Sequence, residues 1–136
     1  ISGVVVQAMI PKGLEIMIGA RMEPGFGPLL LVGFGGEMVE VISDVATRIA
    51  PVGIEEAKDM LLDLRSKWAL AGFRGLPAVD LDRLGEVIVR FSELVADQEA
   101  RLSEIDINPL ICQGSRITAV DALIVHRTTS SQGDVQ

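Results

Sequence analysis

The alternation of apolar and polar positions divides the chain into strands first, helices next and a hairpin last. Gly3 to Met9 is a β-branched run that predicts a strand, and Pro11-Lys12-Gly13 turns it. Leu14 to Met22 alternates as a second strand, broken by Glu23-Pro24-Gly25-Phe26-Gly27-Pro28. Leu29 to Phe34 is wholly apolar and reads as a buried strand. Gly33-Phe34-Gly35-Gly36 and a short segment to Ser43 follow, then a strand from Val45 to Ala50 that Pro51 ends. The period then changes. Ile54, Ala57, Met60, Leu61, Leu64 and Trp68 recur at helical spacing, with Glu55, Glu56 and Asp59 early, where the helix dipole favours acids. After the loop Ala71 to Pro77, Asp80 caps a second helix whose apolar face is Leu81, Leu84, Ile88, Phe91 and Val95. The order predicts an α+β fold: a mainly antiparallel sheet with two main helices packed on one face.

The last strands carry the chemistry. In Glu104-Ile105-Asp106-Ile107-Asn108-Pro109-Leu110 the polar residues fall on every second position, so Glu104, Asp106 and Asn108 share one strand face. Acids within a strand are disfavoured, and desolvating them without a partner is costly. Gly114-Ser115 separates this run from Arg116–Val125 and reads as a two-residue type II′ turn. In that register Gln113 faces Arg116 and Asn108 faces Asp121, with opposed Cβ atoms roughly 4.5–5.5 Å apart. Asp106, Asn108 and Asp121 then converge. Two readings fit: a solvated polar face on an edge hairpin, or an oxygen-ligand site of the kind that suits Mg²⁺.

A length of 136 residues suits one domain with its own core. Because the chain is 49% hydrophobic and only 4% aromatic, that core must be aliphatic. No apolar run reaches the roughly 18 residues of a membrane span, and no signal peptide is evident. A net charge of −7 argues against nucleic acid and against anionic membranes as partners. It also leaves few clustered cations to hold a phosphate. Cys112 is the single cysteine; it lies in an apolar strand, reads as packed rather than catalytic, and makes a reduced cytoplasm the simplest setting. An opening without Met, straight into an apolar run, is what an excised part of a larger polypeptide would show.

The ordered motifs Val5-Val6-Gln7-Ala8-Met9, Gly13-Leu14-Glu15-Ile16, Phe26-Gly27-Pro28, Gly33-Phe34-Gly35-Gly36, Val39-Glu40-Val41, Arg48-Ile49-Ala50-Pro51, Gly72-Phe73-Arg74-Gly75, Asp106-Ile107-Asn108-Pro109-Leu110 and Val120-Asp121-Ala122 carry a resemblance. Together, over residues 3 to about 125, they resemble the C-terminal ATP-grasp subdomain of the NDP-forming acyl-CoA synthetases, relatives of the succinyl-CoA synthetase β subunit. The resemblance implies a subdomain over residues 1–126, with 127–136 as a polar tail or linker. It implies ATP/ADP and Mg²⁺ as cofactors, and Asp106, Asn108 and Asp121 as the metal ligands. Gln7, Met9 and Ile10 match the nucleotide-base hinge, and Glu15 a ribose-contacting position.

The glycines at 33, 35 and 36 would allow a ligand close approach, or would simply turn the chain. Glu40, Arg48 and Arg74 match recurrent family positions without a derivable role beyond an ion pair. Glu23 and Ser43 stand where many relatives carry Asp and Lys, and Ser43 removes one phosphate contact. The partners implied are the N-terminal ATP-grasp subdomain, the CoA-binding domains of the same enzyme, and a small carboxylic acid or acyl-CoA. The oligomeric state stays open. The parent would be an acid–thiol ligase acting through Mg-dependent phosphoryl transfer, the chain alone being inactive. His126 stands outside every motif and is not read as a phosphohistidine. The alternative is a non-catalytic regulatory domain of an acetyltransferase fusion protein.

Overall fold

The computed structural model describes residues 2–36 and 44–128. A six-stranded antiparallel sheet forms from β1 (Leu14–Glu23), β2 (Gly27–Phe34), β3 (Val45–Ile49), β4 (Leu102–Gln113), β5 (Arg116–Ala119) and β6 (Ala122–His126). Its order is β3-β2-β1-β4-β5, and β6 continues the β5 edge along β4. The helices are α1 (Ile54–Leu62) and α2 (Leu81–Asp97), with a short 3-10 helix at Lys67–Ala71 between them. This is the α+β architecture that the period change predicts.

Alternation in the strands decides which face is covered. Leu14, Ile16, Ile18 and Ala20 of β1, with Leu30, Val32 and Phe34 of β2, are buried in one cluster with Met60, Leu61, Leu84, Ile88, Phe91 and Val95 of the helices. Each fully buried side chain of this size contributes roughly 1.5–3 kcal/mol. The Asp80 carboxylate accepts from the Arg83 amide at 3.0 Å and caps α2 as expected. Among the described residues, the opposite sheet face carries no helix.

Four expectations need correction or fall outside the described residues. Gly3 to Met9 forms no strand: Val4, Val5, Val6 and Met9 are 85–93% exposed. β-branched residues favour a strand only where a neighbour completes the ladder, and among the described residues none pairs with this run. The first helix ends at Leu62 rather than Trp68, because the Asp44 carboxylate takes the Arg65 and Ser66 amides at 2.8 and 2.7 Å. Trp68 stands half out of the protein, edge-on to Phe73 with ring centroids 5.3 Å apart. The final strand is two pieces, interrupted at Val120 and Asp121. Val39-Glu40-Val41, Ser43 and residues 129–136 lie outside the described residues.

The register of the last hairpin is as the turn chemistry predicts. Gln113 pairs with Arg116 around Gly114, whose φ of 60° is the left-handed value the first turn position needs. Positions whose numbers add to 229 stay opposed from that turn back to Glu104 and Val125. The other side of β4 behaves differently. Ile16 pairs with Leu110 but Ile18 pairs with Ile107, so Asn108 and Pro109 together oppose Met17 as a bulge. The peptide between those two residues is cis.

Candidate functional site

The uncovered sheet face holds the polar groups that the strand pattern singles out. The bulge puts Ile105, Ile107, Leu110 and Cys112 toward the helices, and Asp106 and Asn108 toward the open face. The Asn108 amide donates to the Asp121 carbonyl at 3.2 Å, which fixes the two residues opposite each other. Asp106, Asn108 and Asp121 line one open depression of about 200 Å³, with Ala122 and Leu123. A second recess of about 180 Å³ shares Asp106 and adds Met17, Gly19, Arg21, Leu31 and Glu104.

The electrostatics of this face are unbalanced. Partial burial, and then the neighbouring Glu104 carboxylate, hold the Asp106 carboxyl above its ordinary value of 3.8. Arg21 is the cation in the recess, yet it pairs with Glu23 at 2.7 Å. Among the described residues no ion pair engages Glu104, Asp106 or Asp121. The donors are two carboxylates and one amide oxygen, all hard, with no sulfur or imidazole. That set fits a divalent cation of the Mg²⁺ kind, which takes one or two carboxylates and keeps other positions for water or phosphate.

Glycines bring the chain close to these side chains. A Cβ on Gly19 would lie 2.7 Å from Asp106 Oδ1, and one on Gly35 would lie 2.8 Å from Asn108 Oδ1. A Cβ on Gly36 would collide with the Glu15 carboxylate. The Gly35 amide also donates to the Glu15 carbonyl at 2.8 Å. Glu15 therefore joins the same face, beside the glycine cluster. Gln7 and Met9 are exposed and Ile10 is half-buried; none of the three lines the depression shared by the trio.

Other candidates fall elsewhere. Arg48 pairs with Asp63 and, at 3.8 Å, with Glu56, so it ties β3 to α1 on the helix side. The Arg74 guanidinium lies 5.1 Å over the Phe73 ring. Cys112 is fully buried, its thiol pushed up to about 12 by burial. His126 ends the exposed edge strand β6. Two residues carry more than sequence reasoning assigns them. Asp44 is a buried helix-terminating acceptor, and Gly19 is a mid-strand glycine whose placement inside an apolar alternation is itself the signal of a close approach.

Comparisons with known proteins show the family. A 4-hydroxybutyrate–CoA ligase (ADP-forming) of Nitrosopumilus maritimus is 41% identical over 111 residues, which cover 82% of this chain and 16% of that protein. The β subunit of acetate–CoA ligase (ADP-forming) I of Pyrococcus furiosus is 37% identical over 123 residues, covering 90% of this chain and 53% of that subunit. The chain thus spans about half the length, or less, of these two curated relatives. Among solved structures, a dinucleotide-forming acetyl-coenzyme A synthetase 1 of Ca. Korarchaeum cryptofilum, in complex with coenzyme A and Mg-AMPPCP, matches with a TM-score of 0.80 at 35% identity. That match covers 87% of this chain and 55% of the other. Residues 1–125 match the ATP-grasp domain family, and the chain belongs to it.

Proposed function

We propose that this chain is the nucleotide-binding C-terminal half of the ATP-grasp unit in an ADP-forming acyl-CoA ligase. The observation that carries the reading is the convergence of Asp106, Asn108 and Asp121 in one depression on the uncovered sheet face. The relatives that match are ADP-forming ligases, and one solved neighbour holds Mg-AMPPCP and coenzyme A. The regulatory reading, a domain of an acetyltransferase fusion, draws no support from these relatives.

In this proposal Asp106, Asn108 and Asp121 hold Mg²⁺ of Mg-ATP. Bound there, the ion would supply positive charge to offset the phosphates for phosphoryl transfer. The chain's own residues do the rest of the local work. Asn108 and Asp121 are pinned opposite each other by the backbone bond between them, so the donors are arranged before a ligand arrives. Glu104 adds negative charge beside Asp106 and makes the site more favourable to a cation. Glu15, on the same face, is placed to accept from ribose hydroxyls; Gln7, Met9 and Ile10 supply the base contacts when the other half of the unit closes over them. The N-terminal ATP-grasp half contributes the phosphate-binding cations that a chain of net charge −7 lacks. The CoA-binding domains contribute the acyl-transfer site, and the compartment is the cytoplasm.

The test is the reverse reaction of the full-length protein: ATP formation from ADP, phosphate and a panel of acyl-CoA esters. Mg-dependent ATP formation with at least one ester is expected. A full-length protein that binds Mg-nucleotide but forms no ATP with any ester would overturn the ligase reading.

A further inference from the structure

On the face that holds the proposed metal ligands, two glycines lie against the ligand side chains, one of them at a mid-strand position where strand chemistry would favour a side chain. Gly19 sits mid-strand in β1, paired with Asp106 on one side and Leu31 on the other. Glycine weakens a strand interior, because it surrenders backbone entropy and packs nothing. A left-handed backbone does not account for it, since Gly19 is not among the positive-φ glycines. What fills the space is the side chain opposite. A Cβ at position 19 would lie 2.7 Å from Asp106 Oδ1 and 3.6 Å from Asp106 Cγ, against 3.4 Å to the Ile105 carbonyl oxygen. The backbone contact is ordinary; the carboxylate contact forces the Asp106 side chain to move. Gly35 repeats the arrangement with Asn108, whose Oδ1 would lie 2.8 Å from an added Cβ. Gly35 also lacks a positive φ, though the Ile16 carbonyl at 3.3–3.4 Å makes its surroundings tighter.

We infer that Gly19, seconded by Gly35, is a positioning residue: its missing side chain is the slot that seats the Asp106 carboxylate in its metal-ready rotamer. This rests on the metal-ligand reading proposed above and deepens it. Without the slot, Asp106 must rotate about its χ angles, since it is the flexible end of the contact. The strand survives the substitution and the ligand geometry does not.

The experiment uses the full-length protein in four forms: wild type, Gly19→Ala, Asp106→Ala and the double variant. Mn²⁺, replacing Mg²⁺, is titrated by EPR with AMPPCP present, and melting is followed without metal. Gly19→Ala is expected to weaken Mn²⁺ binding about 10–100-fold, the range found when support of a metal ligand is lost. Its metal-free melting point should not collapse. In the Asp106→Ala background the same change should cost no further Mn²⁺ affinity and should raise the melting point, because Cβ enters vacated space. Equal losses of affinity in both backgrounds would overturn the inference, since the effect would not run through Asp106. Wild-type affinity in Gly19→Ala alongside weakened binding in Asp106→Ala would also overturn it, leaving the metal reading intact. Wild-type affinity in Asp106→Ala would remove the metal reading and the slot with it. If Gly19→Ala alone fails to fold, a folded double variant still identifies Asp106 as the obstacle. A double variant that also fails identifies the backbone instead and overturns the inference.

Discussion

Asp121→Asn in the full-length protein should separate catalysis from folding. Asp121 is exposed at the break between β5 and β6, and its side chain joins no ion pair among the described residues. Its structural contribution is the carbonyl that accepts from the Asn108 amide at 3.2 Å, and that bond survives the substitution. Asn keeps the volume, so the change in folding stability should stay within about 0.5 kcal/mol, the usual range for an exposed site. The metal-free melting point should therefore hold at its wild-type value. The effect on turnover is of another size. A preorganised charge facing a transferring phosphoryl group is worth about 10²–10³-fold, or roughly 2.7–4 kcal/mol of barrier. The assay is Mg-dependent ATP formation from ADP, phosphate and acyl-CoA, run beside thermal melting with and without Mg²⁺. Asp97→Asn, on the exposed end of α2, is the control. Wild-type turnover and wild-type Mg²⁺ dependence in Asp121→Asn would refute the ligand assignment. A large fall in melting point would show instead that the hairpin, not the ion, needs the carboxylate.

Three further outcomes follow from the packing and the charges. Asp44→Ala strands the Arg65 and Ser66 amides, the latter buried, and should destabilise by about 2–4 kcal/mol in chemical denaturation; an unchanged midpoint would refute the anchoring role. Cys112, at about 12 instead of its ordinary 9.0, holds about 10³-fold less thiolate than a free thiol near pH 8, so an aromatic disulfide reagent should label it only on unfolding. Asp106 has a raised folded-state pKa, so the folded state holds its proton more tightly than the unfolded chain; its contribution to metal-free stability is complete in acid and is lost as pH rises through the carboxylate range. Asp106→Asn should remove that share of the pH dependence and melt higher than wild type at neutral pH, and superimposable stability curves would count against it.

The sheet and its register were legible because their causes are local. Gly114-Ser115 dictates a turn, the turn dictates who faces whom, and period two dictates the face, so Asn108 and Asp121 meet without any tertiary information. The second helix was legible for the same reason, through its cap and its apolar stripe. The failures are non-local. Residues 3–9 have the composition of a strand, but composition cannot supply the strand to pair with. The end of α1 depends on a carboxylate 21 and 22 residues upstream, so no pattern within the helix announces it. Arg48 matched a motif and turned out to tie β3 to α1, which only the packed helix reveals. Gly19 carried a readable signal, an unexplained glycine in an apolar strand, whose meaning required knowing that Asp106 lies across from it.

The bulge at Asn108 and Pro109 sits on one seam of β4 and not on the other. The hairpin with β5 and β6 keeps a single count through it, while the seam with β1 slips by one. The hairpin is thus a ruler laid against β1 with a dislocation at one mark. For length-changing mutations this matters more than for substitutions. Deleting one residue at 108–109 alone would leave the apolar side of β4 in phase with β1 but throw the ruler out of step with itself, forcing β5 and β6 to take up the extra residue. A paired deletion, one residue there and one at Val120 or Asp121, would restore the count between the hairpin strands and abolish the slip against β1. Such a double deletion would give a smoother sheet in which Ile105, Ile107, Leu110 and Cys112 keep their common side, but it would remove or displace the ligand position at Asn108. Insertions and deletions in this stretch should therefore be tolerated in matched pairs or not at all, a constraint that substitution scanning would never expose.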